Sequence, residues 1–165
     1  MTLPRLLVVT TVHHPDDPRI RSKLIPTLAQ EWEITYATQS PGPSDRDGIT
    51  VVELAGGRLG RLLAAGRLLV EKRWDLVALH DPDLLPLGLV RSLLGRPTLF
   101  DLHENLFELP RTREWLPAPM RRPLAWLGAL ALRLAERTMT VTLAEAGYSY
   151  LFRRSHPVIA NHLPR

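Results

Sequence analysis

Residues 98–108, TLFDLHENLFE, decide the fold of this chain, because an apolar strand-like run leads there directly into polar residues. Residues 98–102 form the predicted strand. Its carboxyl end carries acid, imidazole and amide groups, supplied by Asp101, His103, Glu104 and Asn105. A buried run that ends in such groups is typical of a parallel strand whose carboxyl end opens into a binding crevice.

Two other apolar runs, residues 6–12 and 75–79, repeat this pattern. The polar residues that follow them are His13, His14, Asp16 and Asp17 after the first, and His80, Asp81 and Asp83 after the second. Four of the six histidines in the chain therefore lie just after predicted strands. This shared placement indicates a common site.

Strand-like and helix-like segments alternate along the chain. The predicted strands are residues 6–12, 33–37, 49–54, 75–80, 98–102, 139–143 and 158–160. The predicted helices are residues 20–30, 58–73, 84–94, 124–137 and 144–153. We expect a kink or a late helix start at Pro26, a first-turn position for Pro123, and a long loop at residues 110–119.

This alternation predicts one α/β domain over residues 1–165, a doubly wound, Rossmann-like parallel sheet of about seven strands with helices on both faces. In the common doubly wound order, strands one, four and five are neighbours. That order brings the strand-end residues to one crevice, namely His13, His14, His80, Asp81 and His103.

The charge and composition restrict the partners. The chain has 165 residues, no cysteine and a net charge of +4, which comes mainly from arginine. An arginine excess suits a phosphate-bearing small molecule or an anionic membrane, although arginines opposite apolar helix positions are also a normal solvated face. Nucleic acid is not expected, because no zinc finger, helix-turn-helix or aromatic-basic strand motif is present. Without a signal peptide or a membrane-length apolar segment, we expect a cytoplasmic protein.

Several kinds of chemistry lack their sequence motifs. There is no GxGxxG or Walker lysine for a nucleotide, and no GxSxG for a serine nucleophile. A metal-dependent hydrolase is a weaker alternative, because no HExxH pair stands on a helix. Its ligands would come from the strand ends, that is from His13, His14, His80, Asp81, Asp83, His103 and Glu104.

The residues themselves leave alternatives open. A single strand-end histidine is more often a hydrogen-bonding loop residue than a catalyst, but the grouping favours a function for His103. Asp101 is either a partner of that site or a cap of the following turn. Arg19 opens a predicted helix, where it suits a phosphate or pairs with Asp16 or Asp17.

The order of the motifs resembles the amino-terminal half of glycosyltransferase family 4. The motifs are residues 14–20 (HPDDPRI), 80–86 (HDPDLLP), 100–104 (FDLHE), 140–142 (TVT) and 158–161 (VIAN). This resemblance implies the first half of a GT-B fold and a retaining transfer of a sugar, of the hexosyltransferase type, from a nucleotide-sugar to a glycan or a lipid-linked acceptor. It also implies that a second, donor-binding domain follows residue 161 in the family, so that the present chain is an acceptor-binding domain, inactive alone.

The resemblance also assigns roles to residues. His103 would contact the reacting face of the donor sugar, and Asp101 and Glu104 would orient its imidazole. The substrate-binding residues would be His13, His14, Asp17, Arg19, His80, Asp81, Asp83 and Asn105. No metal is expected, and no cofactor beyond the nucleotide-sugar co-substrate. Where many relatives have a glycine-rich loop after the first strand, this chain has residues 13–19 instead.

Two further expectations concern partners. Residues 110–122 hold Trp115 and four arginines, a composition that fits an acceptor or an anionic membrane surface, at the inner face of the membrane. A solvated loop with one buried tryptophan is the alternative. A non-catalytic or split-transferase binding module is the alternative function, and an apolar surface near residue 161 would favour it.

Overall fold

A computed structural model describes residues 2–40 and 48–159 of the protein. These residues form a six-stranded sheet in the order β3-β2-β1-β4-β5-β6, in which all neighbouring strands are parallel. The strands are β1 (Arg5–Val9), β2 (Glu33–Thr38), β3 (Thr50–Glu53), β4 (Leu76–Leu79), β5 (Thr98–Leu102) and β6 (Thr140–Leu143). The predicted doubly wound α/β fold is therefore confirmed, with the strand order reversing between β1 and β4.

Helices flank this sheet. They are α1 (Ile25–Leu28), α2 (Arg58–Val70), α3 (Leu85–Leu93), α4 (Leu109–Thr112) and α5 (Ala118–Thr138). A π-helical turn at Ile20–Leu24 leads into α1, so that Pro26 lies in the first turn of α1. Proline is tolerated there because its missing N–H would have no partner within the helix. Instead of the kink or late helix start expected at Pro26, the helix changes from π to α just before this residue.

The two faces of the sheet bury two separate apolar cores. Along β1, Leu7 and Val9 pack into the core beneath α2, α3 and α5, whereas Leu6 and Val8 pack into the core beneath α1. Successive side chains of a strand point to opposite faces, and both sets are apolar here. This double burial explains why the central strands are continuous apolar runs in the sequence.

Two expectations at the far edge of the sheet are wrong. The seventh strand is reduced to one parallel bridge, between Val158 and Leu143, and residue 160 of the predicted strand lies outside the described residues. The predicted helix at residues 144–153 is a 3₁₀ helix, Ala146–Leu151. Short 3₁₀ segments of this kind are common as connectors.

The segment before the long helix also differs from the prediction. The expected loop at residues 110–119 contains α4, and α5 already begins at Ala118, so that Pro123 lies inside α5 rather than in its first turn. Pro119 occupies the first turn instead. Either proline is compatible with a helix start, and the sequence pattern alone does not choose between them.

The described residues contain no helix that is both long enough and apolar enough to cross a membrane.

Candidate functional site

The register of the sheet brings three polar strand ends together. Val9 of β1 pairs with Leu79 of β4, and Leu79 pairs with Phe100 of β5. The carboxyl ends of β1, β4 and β5 therefore lie side by side at one edge of the sheet. The residues that follow the three strands share a crevice there, as expected at the switch point of a doubly wound sheet.

Asp101 is the centre of this crevice. Its Oδ1 accepts a hydrogen bond from Thr142 Oγ1 on the neighbouring strand at 2.8 Å. Its Oδ2 lies 2.8 Å from Arg19 Nη2 and 2.9 Å from His103 Nε2, and His80 Nδ1 is 3.3 Å away. The alternative in which Asp101 only caps a turn does not account for these four contacts.

Two opposing effects act on the Asp101 carboxyl. Burial raises its pKa, but hydrogen bonding and charge attraction from His80, followed by Arg19 and Thr142, hold the pKa below its ordinary value. Asp101 is therefore a carboxylate at neutral pH. A buried carboxylate accepts hydrogen bonds only, which fixes how the neighbouring imidazoles are oriented.

The two imidazoles beside Asp101 contact each other. His80 Nδ1 lies 3.3 Å from His103 Nε2, and the ring planes meet edge to face. A neutral His103 that donates its Nε2 proton to Asp101 keeps Nδ1 as a hydrogen-bond acceptor. His80 is fully buried, and its Nε2 has no hydrogen-bond partner among the described residues. One imidazole is thus oriented by the carboxylate and the other is enclosed behind it.

Asp81 holds the loop that follows β1. Its Oδ2 accepts hydrogen bonds from Thr10 Oγ1 at 2.7 Å and from the backbone N–H groups of Thr11 and Val12. Its Oδ1 lies 3.4 Å from His13 Nε2. These contacts make Asp81 a support of the loop rather than a group free to meet a substrate.

His13 joins that loop to the Asp101 group. His13 Nδ1 lies 3.0 Å from Asp17 Oδ2, and its ring centroid is 5.8 Å from that of His103. Asp17 Oδ1 in turn accepts a hydrogen bond from the backbone N–H of Arg19. The structure therefore brings five predicted residues of the first two strand ends into one network with Asp101 and His103, namely His13, Asp17, Arg19, His80 and Asp81.

Arg19 pairs differently from the sequence expectation. Its guanidinium reaches Asp101 rather than Asp16 or Asp17, across 82 positions of sequence. Burial lowers the pKa of Arg19, and the charges of Asp101 and Asp17 oppose that effect. With its side chain engaged by Asp101, Arg19 is a structural partner of the crevice, and the expected phosphate contact would compete with that pair.

Four predicted residues lie apart from the histidine group. His14 is 70% exposed and faces Asp16, and the Glu104 carboxylate, which is half-exposed, lies 3.9 Å from Arg113. Asp83 accepts hydrogen bonds from Thr11 and Arg58. Asn105 accepts from the backbone N–H groups of Phe107 and Glu108, and its amide contacts Tyr150, so it caps the turn after β5.

Two cavities meet at His13 and His103. The smaller, of about 320 Å³, lies against Asp17, Arg19 and Lys23. The larger, of about 890 Å³, runs from His80, Asp81 and His103 towards α4 and α5. Its far wall is apolar and consists of Leu106, Leu109, Leu116, Leu124, Leu127 and Ala131. The larger cavity thus has a polar end at the sheet and an apolar end beneath the helices.

Neither this apolar wall nor the roles of two supporting residues follow from the sequence patterns. Tyr148 donates a hydrogen bond to the backbone carbonyl of His103 at 3.0 Å, and Thr142 holds Asp101. Tyr148 carries no local motif. Thr142 belongs to the motif at residues 140–142, but that motif does not indicate its contact with Asp101, 41 positions away. On α5 the wall falls within residues 124–131 (LAWLGALA), which are apolar throughout, so helical spacing does not separate the cavity side from the outer side.

One group of side chains in the described residues has the spacing of metal ligands. His80, Asp101 and His103 each present a ligand atom, and these atoms lie 2.9 to 3.3 Å from one another, close to the ligand spacing of a tetrahedral zinc site. Asp101 Oδ2, however, already contacts the Arg19 guanidinium. A cation at this position would meet that positive charge directly, so these residues fit a metal poorly.

The comparisons with known proteins identify the fold. No protein-family model matches the chain, and no curated protein matches its sequence. The fold is that of a Rossmann-like half of a GT-B structure. One similar solved structure is CalG4, the calicheamicin glycosyltransferase, with a TM-score of 0.61 and 17% sequence identity. The match covers 99% of this chain and 53% of CalG4, so the chain spans about half the length of that protein.

Proposed function

We propose that this chain is the acceptor-binding domain of a retaining glycosyltransferase of the family 4 type. The enzyme would transfer a sugar, of the hexosyl type, from a nucleotide-sugar to a glycan or lipid-linked acceptor. The observation that carries the proposal is the position of His103, which is held by Asp101 at the switch point of the sheet and lines both cavities. The order of motifs in the sequence and the fold shared with CalG4 support it.

His103 is the proposed catalytic residue. Its imidazole would hydrogen-bond a hydroxyl of the donor sugar or the departing phosphate as the glycosidic bond breaks. Asp101, ionised at neutral pH, would keep the imidazole oriented and would stabilise it if it becomes protonated. Glu104 would act only indirectly, through its contact with Arg113 at the rim of the larger cavity.

The donor site belongs to a second domain in this proposal. CalG4 is about twice as long as this chain, and the family resembled by the motifs places the nucleotide in its second half. The nucleotide-sugar would be a co-substrate, with no other cofactor. The 165-residue chain alone would then bind an acceptor without turning it over.

The membrane is the proposed location of the acceptor domain. Trp115 is exposed, as are Arg111, Arg113 and Arg122, and indole and guanidinium groups suit the interface of an anionic bilayer. The protein would then lie at the inner face of the membrane. Co-sedimentation with anionic liposomes at low salt tests this location, and no binding under those conditions contradicts it.

A split-transferase binding module is the second candidate. The observation that favours it is the exposure of Val158 and Ile159, apolar residues at the edge of the sheet beside β6. A separate donor-domain chain could cover them.

The size of the native polypeptide distinguishes the two candidates. An antibody to this domain that detects a protein much larger than 18.6 kDa supports the two-domain enzyme, whereas a band of 18.6 kDa supports the split module. The larger protein would then be assayed with nucleotide-sugars, and NMR of the first product would show whether the anomeric configuration is retained. An inverted product contradicts the retaining mechanism, and no transfer to any sugar or lipid acceptor contradicts the function.

A further inference from the structure

The larger cavity is amphipathic along its length. One end is formed by His80, Asp81 and His103 at the sheet edge, and the other by leucine side chains of α4, α5 and the segments that join them to the sheet. A free sugar presents hydroxyl groups around its whole ring and gains little from such a wall. An acceptor with a polar head and an apolar chain matches both ends.

The apolar wall continues onto the outer surface of α5. Leu127 lines the cavity and is nevertheless 60% exposed. An apolar stripe extends from it along the exposed side of the helix, and its other members are Met120, Trp126, Leu130 and Leu134. The opposite side of α5 is buried through Ala125, Leu132 and Ala135, so the helix is apolar on both sides. The stripe gives an apolar chain a continuous path from the cavity to the protein surface.

Arginine side chains line the mouth of the cavity. Arg58 and Arg113 both contribute to its lining. Their acidic neighbours are Asp83, 3.2 Å from Arg58, and Glu104, 3.9 Å from Arg113. Because the Arg113 pair is long and both of its side chains are about half exposed, an incoming phosphate can replace Glu104 with little loss.

The neighbouring segment carries further arginines. Residues 110–122 contain four arginines and one glutamate. The carboxylates of Asp81, Asp83 and Glu104 also line the cavity, so Arg113, whose ion pair is the longer of the two, is the group that an anionic head group would contact. The wall is complementary to hydrocarbon.

We propose that the acceptor is a lipid phosphate, whose apolar chain lies along the wall formed by α4 and α5 and whose phosphate contacts Arg113 at the mouth. This inference rests on the proposed function and selects the lipid-linked class over a free glycan. The exposed stripe of α5 is the side from which the lipid enters. Gly128 supports the wall, because a Cβ at this position would lie 2.6 Å from the backbone oxygen of Leu106 and only glycine permits this close packing of α5.

Calorimetric titration of the 165-residue chain with dodecyl phosphate, below its micellar concentration, tests the proposal. The comparison ligands are inorganic phosphate, glucose and dodecyl maltoside, which separate the anion, the sugar and the chain. We expect dodecyl phosphate to bind about tenfold or more tightly than each of them. Equal binding of inorganic phosphate, or binding of glucose with no binding of dodecyl phosphate, would overturn the proposal.

Matched variants locate the binding site. Leu127→Glu should weaken dodecyl phosphate binding about tenfold. Leu63→Glu changes a leucine of the same 60% exposure on α2, away from the cavity, and should leave binding unchanged. Arg113→Gln should reduce the preference for dodecyl phosphate over dodecyl maltoside. Equal weakening by the two leucine variants would indicate surfactant adsorption and would refute the site.

The results distinguish a failure of the lipid inference from a failure of the proposed function. Transfer to a sugar acceptor by the two-domain enzyme, without dodecyl phosphate binding, would refute the lipid inference and leave the glycosyltransferase intact. Specific dodecyl phosphate binding without transfer to any acceptor would support the lipid site and refute the enzyme.

Discussion

Arg19 Nη2 lies 2.8 Å from Asp101 Oδ2, so that a residue from the loop after β1 neutralises a carboxylate that β5 carries 82 positions later. The pair is largely buried, and it stands behind the His103 imidazole, which contacts the same oxygen. It therefore links the stability of the β1 loop to the orientation of the proposed catalytic residue.

Loss of the Arg19 charge should destabilise the fold. In Arg19→Gln, Asp101 keeps a buried negative charge with one partner fewer, and we expect a loss of about 2–3 kcal/mol in the free energy of unfolding. Urea denaturation followed by circular dichroism measures this loss. Arg67→Gln, at an exposed arginine of α2, is the matched control and should change stability by less than about 0.5 kcal/mol. Equal effects of the two substitutions would show that the pair contributes nothing specific.

The low pKa of Asp101 predicts how its contribution to stability depends on pH. Burial raises this pKa, but the contacts with His80, Arg19 and Thr142 lower it by a larger amount. The folded-state pKa therefore lies below the unfolded-state value of about 3.9. The carboxylate therefore stabilises the fold fully above about pH 4, and the contribution is lost as the pH falls through the folded-state pKa. The stability difference between the wild type and Asp101→Asn should shrink as the pH falls below about 4. A difference that grows on acidification would show that the shift has the opposite sign.

Close packing at Gly128 predicts the effect of one added methyl group. Because the new Cβ would meet the backbone oxygen of Leu106, Gly128→Ala should lower the stability by about 1–3 kcal/mol, despite the better helix propensity of alanine. Gly147→Ala is the control, since no atom lies within 4 Å of a Cβ there. Thermal unfolding of both variants measures the difference. A Gly128→Ala protein more stable than wild type would mean that α5 and the Leu106 segment are not in contact.

The contact between Arg19 and Asp101 also predicts that the protein binds zinc poorly. His80, Asp101 and His103 have suitable spacing, but the guanidinium on Asp101 opposes a divalent cation. We expect purified protein that is dialysed against zinc and then against buffer to retain less than about 0.1 zinc ion per chain. Elemental mass spectrometry measures this content. One zinc per chain that is lost in His80→Ala would instead favour a metal-dependent hydrolase.

The strand ends were predictable because they depend on local pattern and on one topological rule. Apolar runs followed by polar residues located β1, β4 and β5, and right-handed crossovers placed them side by side. Contacts between distant residues were not predictable from one sequence. The Arg19 pair with Asp101 and the Tyr148 hydrogen bond to His103 depend on how the loops cross the sheet edge.

Segment boundaries at the prolines were equally undetermined. Pro119 and Pro123 are both acceptable in a first helical turn, so the sequence did not fix where α5 begins. That choice matters for the site, because the residues before Pro123 bring α4 and Trp115 to the cavity. The same ambiguity hid the apolar wall, which became evident only from the packing of α4 and α5 over the strand ends.

The most direct test of the account is the transfer rate of His103→Ala in the two-domain enzyme. Removing the imidazole should lower kcat by about 100-fold or more, because the group would stabilise charge at the reacting centre, while the fold remains intact by circular dichroism. His156→Ala, which removes an imidazole that contacts Glu136 far from the cavities, should keep near-normal turnover. A His103→Ala enzyme with near-normal turnover would contradict the assignment of this crevice as the site of glycosyl transfer.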